Sequence, residues 1–203
     1  MISSDLIKDI EASDFYTSLC SLLSEPLSLG LGLDNDAQDR LYLRLLAIKD
    51  LVSSGFDFLD NGFFRVVFFA KKYNVVIKVL LYTDAVNCNK AESCLISNIK
   101  DRFKNGTLTK KQHDSLLSYL CPVLDSNYIV SVYPCCKLPV HNEDEIKIAE
   151  IVDLFLHCNI RLDDVTKLSQ WGYLKGKLVL LDYASWYDNV TQDYGYWGVS
   201  YED

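Results

Sequence analysis

The chain has 203 residues, which is enough for one domain or for two small lobes. Its hydrophobic fraction of 49% supports a packed core and excludes an intrinsically disordered chain. Acidic residues outnumber basic ones by 28 to 20, so the net charge of −8 disfavours direct binding to nucleic acid.

The sequence carries no sign of a membrane or of an oxidising compartment. It contains no apolar run of about 18 residues and no secretion-signal pattern, so we expect no membrane partner and a cytoplasmic location. The seven cysteines include no Cys-x-x-Cys pair, which argues against a zinc site and a disulfide framework. Four cysteines stand among apolar residues and are expected to be buried, unreactive thiols: Cys20, Cys94, Cys121 and Cys158.

Residues 1–54 are predicted to form a helical N-terminal extension. The stretch 5–23 has the pattern of an amphipathic helix. A second helix of about four turns is indicated by apolar residues that recur with helical spacing, and Gly55 is placed to end it. These apolar residues are Leu41, Leu45, Ile48 and Val52.

Residues 55–138 are predicted to form a small lobe built on antiparallel strands. Stretches rich in Phe and Val at 56–70 and 75–81 flank a polar turn at 71–74. Two further strands are predicted around a turn at Asp125–Asn127. The pattern is therefore that of a small antiparallel sheet.

Helices interrupt and follow these strands. From Asn89 the apolar residues recur every four positions, at Ala91, Leu95, Ile99 and Phe103. Another helix is predicted over 109–120. Residues 139–203 are predicted to form a third region, in which 145–157 is apolar on nearly every side and is expected to be a buried helix, followed by a polar loop at 163–170.

Lys78 and Glu92 are the first candidate site residues. Lys78 interrupts a strand of Val and Ile, where its charge is costly to bury unless a carboxylate or phosphate meets it. The alternative is a lysine that points to solvent from an edge strand. Glu92 lies on the polar side of the next helix, and its alternative is a solvated charge. A strand lysine followed by a helix glutamate, after a hairpin turn at Asn61-Gly62, is the order found in the small lobe of protein kinases.

Asp164 and Asp182 are the second pair of candidates. Asp182 ends the apolar strand 178–181 of a hairpin that begins at Gly172, a position that suits a ligand of Mg²⁺ because a rigid strand holds the oxygen. Asp164 precedes it in the polar loop after the buried helix. The alternative for each is an ordinary turn aspartate. The order of helix, Asp loop, hairpin and Asp is that of the catalytic and metal-binding segments of kinases.

Three strings resemble the compact kinase-like proteins encoded by bacteriophages. They are Asp60-Asn-Gly-Phe-Phe-Arg-Val-Val-Phe68, Val76-Ile-Lys-Val79, and Gln170-Trp-Gly-Tyr-Leu-Lys-Gly-Lys-Leu-Val-Leu-Leu-Asp-Tyr183. The resemblance covers about residues 56 to 184. It implies an α+β, protein-kinase-like fold, with a small antiparallel β lobe, an αC-like helix and a truncated helical C-lobe over 139–203 that ends in an acidic, aromatic tail.

The resemblance also implies a role for each candidate residue. Lys78 would hold the phosphates of ATP and act in catalysis, and Glu92 would orient it. Asp164 would be the catalytic base, and Asp182 would bind Mg²⁺. Two further residues take the remaining positions of the family pattern: Gly62 in the nucleotide-binding loop and Gln170 near the second metal position.

The chain also departs from the family pattern. Gly62 is the only glycine of the nucleotide-binding loop, and the position of the family's metal-binding Asn is Ser169, with Gln170 beside it. After Asp182-Tyr183-Ala184 too few residues remain for an activation segment and a peptide-docking lobe.

Two functions are consistent with these matches to the family pattern and departures from it. The first is a serine/threonine kinase-like protein that binds ATP and Mg²⁺ and modifies host proteins in the host cytoplasm. The alternative is a catalytically inactive protein of the same fold, which inhibits a host enzyme by direct binding.

Overall fold

The computed structural model describes residues 6–24, 35–50, 55–62, 64–81, 86–138 and 140–195. Over these ranges the chain forms six helices and nine strands, which confirms the predicted α+β class. The kinase-like character of the fold stays a prediction. The chain divides into two compact units: unit 1 contains residues 1–89 and 123–135, and unit 2 contains residues 90–122 and 136–203. None of the described helices is long and apolar enough to cross a membrane.

The helices are α1 (Leu6–Glu11), α2 (Asp14–Ser24), α3 (Asn35–Asp50), α4 (Val86–Lys104), α5 (Lys110–Ser118) and α6 (Glu145–His157). The strands are β1 (Phe56–Asn61), β2 (Arg65–Ala70), β3 (Val75–Leu80), β4 (Asp125–Ser126), β5 (Val130–Pro134), β6 (Ile160–Leu162), β7 (Trp171–Leu174), β8 (Lys177–Leu180) and β9 (Trp186–Asp188).

The N-terminal region of unit 1 is helical, but the single helix predicted over 5–23 is two helices, α1 and α2. Ser13 lies at the break. Its hydroxyl donates to the carbonyl of Ile10 at 2.5 Å and accepts from the N–H of Tyr16 at 3.2 Å. A serine in this position starts a new helix because it satisfies an amide that has no partner within the helix. The helix α3 confirms the second predicted helix, whose Val52 lies outside the described residues.

Unit 1 contains a five-stranded antiparallel sheet in the order β1-β2-β3-β5-β4. The first three strands confirm the predicted pattern, and β3 is the central strand. The turn predicted at Asp125–Asn127 lies slightly later, because Asp125 and Ser126 belong to β4. The side-chain oxygen of Asn127 forms the turn by accepting from the N–H groups of Ile129 and Val130 at 2.8 and 2.7 Å.

The two faces of this sheet differ in character. Phe68, Ile77 and Val132 form a cross-strand row of fully buried side chains. Phe15 of α2 covers this face and meets the ring of Phe68 edge-on at 5.1 Å. Because neighbouring side chains of a strand point to opposite faces, Lys78 lies on the other face of the sheet.

In unit 2 the row of apolar residues along α4 leaves the buried face of the helix near its C-terminal end. The first three residues of this row are buried as predicted, namely Ala91, Leu95 and Ile99. Phe103 is 38% exposed instead. Four residues advance a helix by about 400°, so a strict four-residue spacing rotates by about 40° at each step. Arg102 takes the buried position, and Phe103 stacks on His113 with ring centroids 4.6 Å apart.

Arg102 forms a buried ion pair with Asp188 of β9. The two charged groups are 2.8 Å apart, and their side chains are 3% and 0% exposed. The guanidinium also donates to the carbonyl of Cys158 at 2.8 Å, and the other carboxylate oxygen accepts from the N–H of Val190 at 2.8 Å. This network fixes α4 to the segments that flank β6 and β9.

The helix α6 is buried on one side only, so the prediction of a fully buried helix is wrong. Ile148, Ile151 and Phe155 face the core, whereas Ile146 is 76% and Leu156 is 51% exposed. The buried three share one face at helical spacing, and Ile146 lies on the opposite side of the helix. Composition alone did not reveal this difference between the faces.

Two short ladders complete unit 2. The strands β7 and β8 form the predicted hairpin, with Lys175 and Gly176 at positive φ angles of 52° and 79° in its two-residue turn. The strands β6 and β9 pair antiparallel, with Leu162 opposite Trp186. The strand β9 lies in the aromatic tail, where the sequence showed no clear periodicity.

The burial of the cysteines agrees only partly with the prediction. Cys121 and Cys158 are buried, and burial raises the pKa of the Cys158 thiol. Cys20 is half-buried, and Cys94 is exposed, so the predicted burial is wrong for Cys94. Cys94 lies on α4 next to the buried Leu95, but on the solvent side of the helix.

Tyr173 of β7 is expected to make stability depend on alkaline pH. The hydrogen bond that its hydroxyl donates to the Asp144 carboxylate raises its pKa to about 12. The unfolded chain ionises this tyrosine from about pH 10, so the stability due to this bond is complete below pH 10 and lost as pH rises through about 12. We expect the difference in unfolding free energy between wild type and Tyr173→Phe to shrink over this range. A constant difference from pH 9 to pH 12 would contradict the assignment.

Candidate functional site

Lys78 lies in the middle of the central strand β3 and is only 7% exposed. The alternative of a solvent-facing lysine on an edge strand is therefore wrong. Its ammonium lies 4.5 Å from the centre of the Tyr133 ring, which stabilises a desolvated cation. Opposite Lys78 on β5, the buried hydroxyl of Ser131 has no hydrogen-bond partner within the described part of the chain. An unsatisfied buried hydroxyl favours a polar ligand or an ordered water at this place.

Gly62 follows β1, and its N–H donates to the carbonyl of Arg65 at 2.8 Å. Its φ angle lies outside the left-handed region, and an added Cβ would meet only the Arg65 carbonyl oxygen at 3.8 Å. The turn therefore has no steric need for glycine at this position. The role of Gly62 in holding phosphates stays a prediction.

Glu92 of α4 is completely buried, so the alternative of a solvated helix-face charge is wrong. One of its carboxylate oxygens accepts from the backbone N–H of Tyr183 at 3.3 Å. Tyr183 directly follows Asp182, so this contact places the Glu92 carboxylate beside the segment that carries the predicted metal ligand. Glu92 belongs to unit 2 and Lys78 to unit 1, and the ion pair predicted between them stays a prediction.

Asp182 and Gln170 lie on neighbouring segments at the open end of the β7–β8 hairpin. The last ladder pair is Trp171 with Leu180. One residue further on, the N–H of Leu181 donates to the carbonyl of Gln170 at 2.7 Å. Asp182 comes next and is half-buried. The two predicted metal ligands are thus brought together by the hairpin.

The β6–β9 ladder brings the loop of Asp164 to the segment of Asp182. Because the strands are antiparallel, the chain leaves β6 at the end where the Asp182 segment enters β9. The N–H of Asp163 donates to the carbonyl of Ser185 at 3.1 Å across this end. The buried indole of Trp171 also donates to the carbonyl of Val165 at 2.7 Å, which ties the Asp164 loop to β7.

The backbone of Asp164 has a left-handed φ angle of 57°, a conformation that aspartate and asparagine adopt more often than most other residues with a Cβ. Its carboxylate lies 2.8 Å from the ammonium of Lys167, with the two side chains 66% and 58% exposed. An ion pair this exposed adds little to stability. The role of Asp164 as catalytic base stays a prediction.

The donor set at the hairpin end fits a magnesium ion that arrives with phosphate. Asp182 and Gln170 offer oxygen donors, which Mg²⁺ prefers, and this ion is usually held by one or two carboxylates together with substrate phosphates and waters. Over the described ranges, no group of three or more His, Cys, Asp or Glu side chains is arranged to hold a metal by itself. The binding of Mg²⁺ by Asp182 and Gln170 stays a prediction.

Sequence reasoning missed the contribution of Tyr183 to this site. Its side chain is 1% exposed, and its hydroxyl donates to the carbonyl of Cys121 at 2.5 Å. Its backbone N–H binds Glu92, so Tyr183 links two separate elements to the Asp182 segment. The only signal in the sequence was an aromatic residue directly after a candidate metal ligand.

In comparisons with known proteins, no family model matches this chain and no curated protein is similar to it in sequence.

Proposed function

We propose that unit 2 binds ATP together with Mg²⁺ and transfers the γ-phosphate to a serine or threonine of a host protein, as expected of a phage-encoded kinase-like protein. One observation carries the proposal: Asp164, Gln170 and Asp182, which stand up to eighteen residues apart in sequence, are brought to the joined ends of two strand ladders. Polar residues that neighbouring rigid elements bring near one another are typical of catalytic sites.

Each of these residues has a separate task in the proposed reaction. Asp182 and Gln170 bind the Mg²⁺ of the nucleotide, which neutralises charge on the phosphates. Asp164 accepts the proton of the substrate hydroxyl while the hydroxyl oxygen attacks the γ-phosphorus. The bond from phosphorus to the bridging oxygen breaks, and ADP leaves with that oxygen. The ammonium of Lys167 lies 2.8 Å from the Asp164 carboxylate and helps to position it.

Glu92 acts as a positioning residue in this proposal. It contacts the backbone of Tyr183 and so fixes the segment that presents Asp182. A buried carboxylate next to a metal-binding aspartate is costly unless it is held by hydrogen bonds, which explains why this backbone contact matters.

The alternative of an inactive interaction protein has its own supporting observation. The helix α6 exposes Ile146 and Leu156, and a groove beside α6 is lined by apolar side chains that include Val152 and Leu168. Exposed apolar surface of this kind favours contact with another protein. In this alternative, a host enzyme binds at the face of α6, and ATP has no effect.

Stability measured with and without nucleotide separates the two functions. We expect ATP with Mg²⁺ to raise the unfolding free energy of the wild type by about 2.7 kcal/mol at one hundred times the Kd, because a ligand that binds only the folded state stabilises it. ATP with a chelator should have much less effect, since Asp182 binds nucleotide through the metal. No shift at millimolar ATP and Mg²⁺ would favour the interaction protein.

A further inference from the structure

Two cysteines of unit 2 lie close enough to react with each other. The sulfur atoms of Cys121 and Cys136 are 3.8 Å apart. A disulfide joins its sulfurs at about 2.0 Å, so the two sulfurs must approach each other by about 1.8 Å to bond. We propose that Cys121 and Cys136 form a reversible disulfide when the protein meets an oxidising small-molecule disulfide of the glutathione type.

The backbone holds the two cysteines in place on the β7–β8 hairpin. The N–H of Cys121 donates to the carbonyl of Leu180 on β8 at 2.9 Å. Lys137, which follows Cys136, exchanges two hydrogen bonds with Tyr173 of β7 at 2.9 and 3.0 Å. The sulfurs are therefore close because each chain segment is bound to the same rigid hairpin, and their proximity does not depend on a flexible loop.

Gly172 of β7 leaves the space that the Cys136 side chain occupies. A Cβ added at position 172 would lie 3.1 Å from the Cβ of Cys136 and 3.2 Å from the side chain of Leu181. These distances are shorter than ordinary contacts, so a larger residue would push Cys136 aside. The glycine therefore keeps the reduced pair in its close arrangement.

The exposure of the two sulfurs sets the order of the reaction. Cys136 is half-buried and Cys121 is only 2% exposed, so the oxidant reaches Cys136 first. The Cys136 thiolate attacks one sulfur of the small disulfide, whose S–S bond breaks and releases one small thiol. Cys121 then loses its proton to water and attacks the Cys136 sulfur, which releases the second small thiol. Two protein thiols are oxidised, and one small disulfide is reduced to two thiols.

The bond would act on a segment that is already part of the candidate site. The carbonyl of Cys121 accepts the hydrogen bond of the Tyr183 hydroxyl, next to Asp182. The bond also closes the loop from 121 to 136, which restricts the unfolded chain. We therefore expect the oxidised protein to melt at a higher temperature than the reduced protein.

The test is oxidation of the full chain with oxidised glutathione, followed by alkylation under denaturing conditions and peptide mass spectrometry. We expect a linked peptide that joins Cys121 to Cys136, lighter by two hydrogen atoms than the two separate peptides, with Cys158 alkylated. A reducing thiol should restore the original mass. Wild type that carries only glutathione on Cys136, a link from Cys121 to Cys135, or no change at all would overturn the proposal.

Two single variants check the order of attack. Cys121→Ser should stop at the mixed disulfide on Cys136, whereas Cys136→Ser should leave Cys121 unmodified. Cys135→Ser is the matched control, because the exposed neighbouring cysteine should not be needed for the link. The measurements on the wild type test the proposal even if a variant fails to fold. None of these measurements depends on ATP, so a failure to form the disulfide can be distinguished from a failure of the proposed function.

Discussion

Asp182→Ala is expected to lower γ-phosphate transfer from ATP by at least about 100-fold, because the metal supplies most of the charge neutralisation in phosphoryl transfer. At the hairpin end, Asp182 is the carboxylate proposed to bind the metal, and the amide of Gln170 is its companion. With the aspartate removed, the amide alone binds Mg²⁺ weakly. We expect the unfolding free energy to change by no more than about 1 kcal/mol, since Asp182 is only half-buried. Initial rates of label transfer and urea unfolding curves give the two quantities.

The matched control for this variant is Asp163→Ala. Asp163 belongs to the Asp164 loop, which is joined to the Asp182 segment by its backbone bond to Ser185, and it has no role in the proposed reaction. Its side chain is 30% exposed and lies 3.5 Å from Arg161. Its backbone bond to Ser185 survives the substitution. Equal rates for Asp182→Ala and the wild type would remove Asp182 from the mechanism. A large loss in both variants would point to damage of the loop instead of loss of a metal ligand.

Asp188→Ala is expected to lower the unfolding free energy by about 3–5 kcal/mol, because it leaves the buried guanidinium of Arg102 without its counter-charge. The pair is 2.8 Å apart and nearly inaccessible to solvent. The substitution also removes the acceptor of the Val190 N–H. A loss of this size is a large part of the stability of an ordinary domain. Urea denaturation followed by fluorescence measures it.

Two comparisons show whether burial causes this effect. Asp114→Ala breaks the pair between Asp114 and Lys110, which is 2.7 Å apart but 52% and 78% exposed, and it should change stability very little. The double variant Arg102→Met with Asp188→Leu should recover most of the loss, since apolar side chains of similar volume can replace a buried pair. A loss for Asp188→Ala as small as that for Asp114→Ala would contradict the role of the buried pair.

Most local elements were predictable because their signals are local. The Phe- and Val-rich stretches predicted β1, β2 and β3, and the Lys175-Gly176 turn lies within the predicted β7–β8 hairpin. The break in the N-terminal helix was missed because a serine can either continue a helix or start one, and only its contacts decide.

The side of a helix on which a residue lies, and the pairing of distant segments, were less predictable. Phe103 and Ile146 were expected to be buried because they are apolar. Phe103 is 38% exposed and stacks on His113, and Ile146 is 76% exposed on the side of α6 opposite its buried face. The Arg102–Asp188 pair joins residues 86 positions apart, and β9 is only three residues long. No periodic signal exists over so short a strand, so the ladder that brings Asp164 to the Asp182 segment was also invisible in the sequence.

The sequence suggested the candidate residues of the site but not their spatial arrangement. Asp164 and Asp182 were identified because the order of helix, Asp loop, hairpin and Asp resembles that of protein kinases. The contact from Glu92 to the backbone of Tyr183 and the tie from Trp171 to Val165 depend on the folded arrangement. These contacts support the proposal most strongly, because they explain why distant residues meet.

The central claim is that unit 2 transfers phosphate with Asp164 as the base. The most direct measurement is transfer of label from γ-labelled ATP to host lysate proteins or to the chain itself, with wild type and Asp164→Asn side by side. We predict transfer by the wild type that requires Mg²⁺, with a loss of about 100-fold or more in the variant. Asp163→Asn should retain the activity. Transfer at the wild-type rate by Asp164→Asn, or no transfer by the wild type in the presence of ATP and Mg²⁺, would contradict the claim.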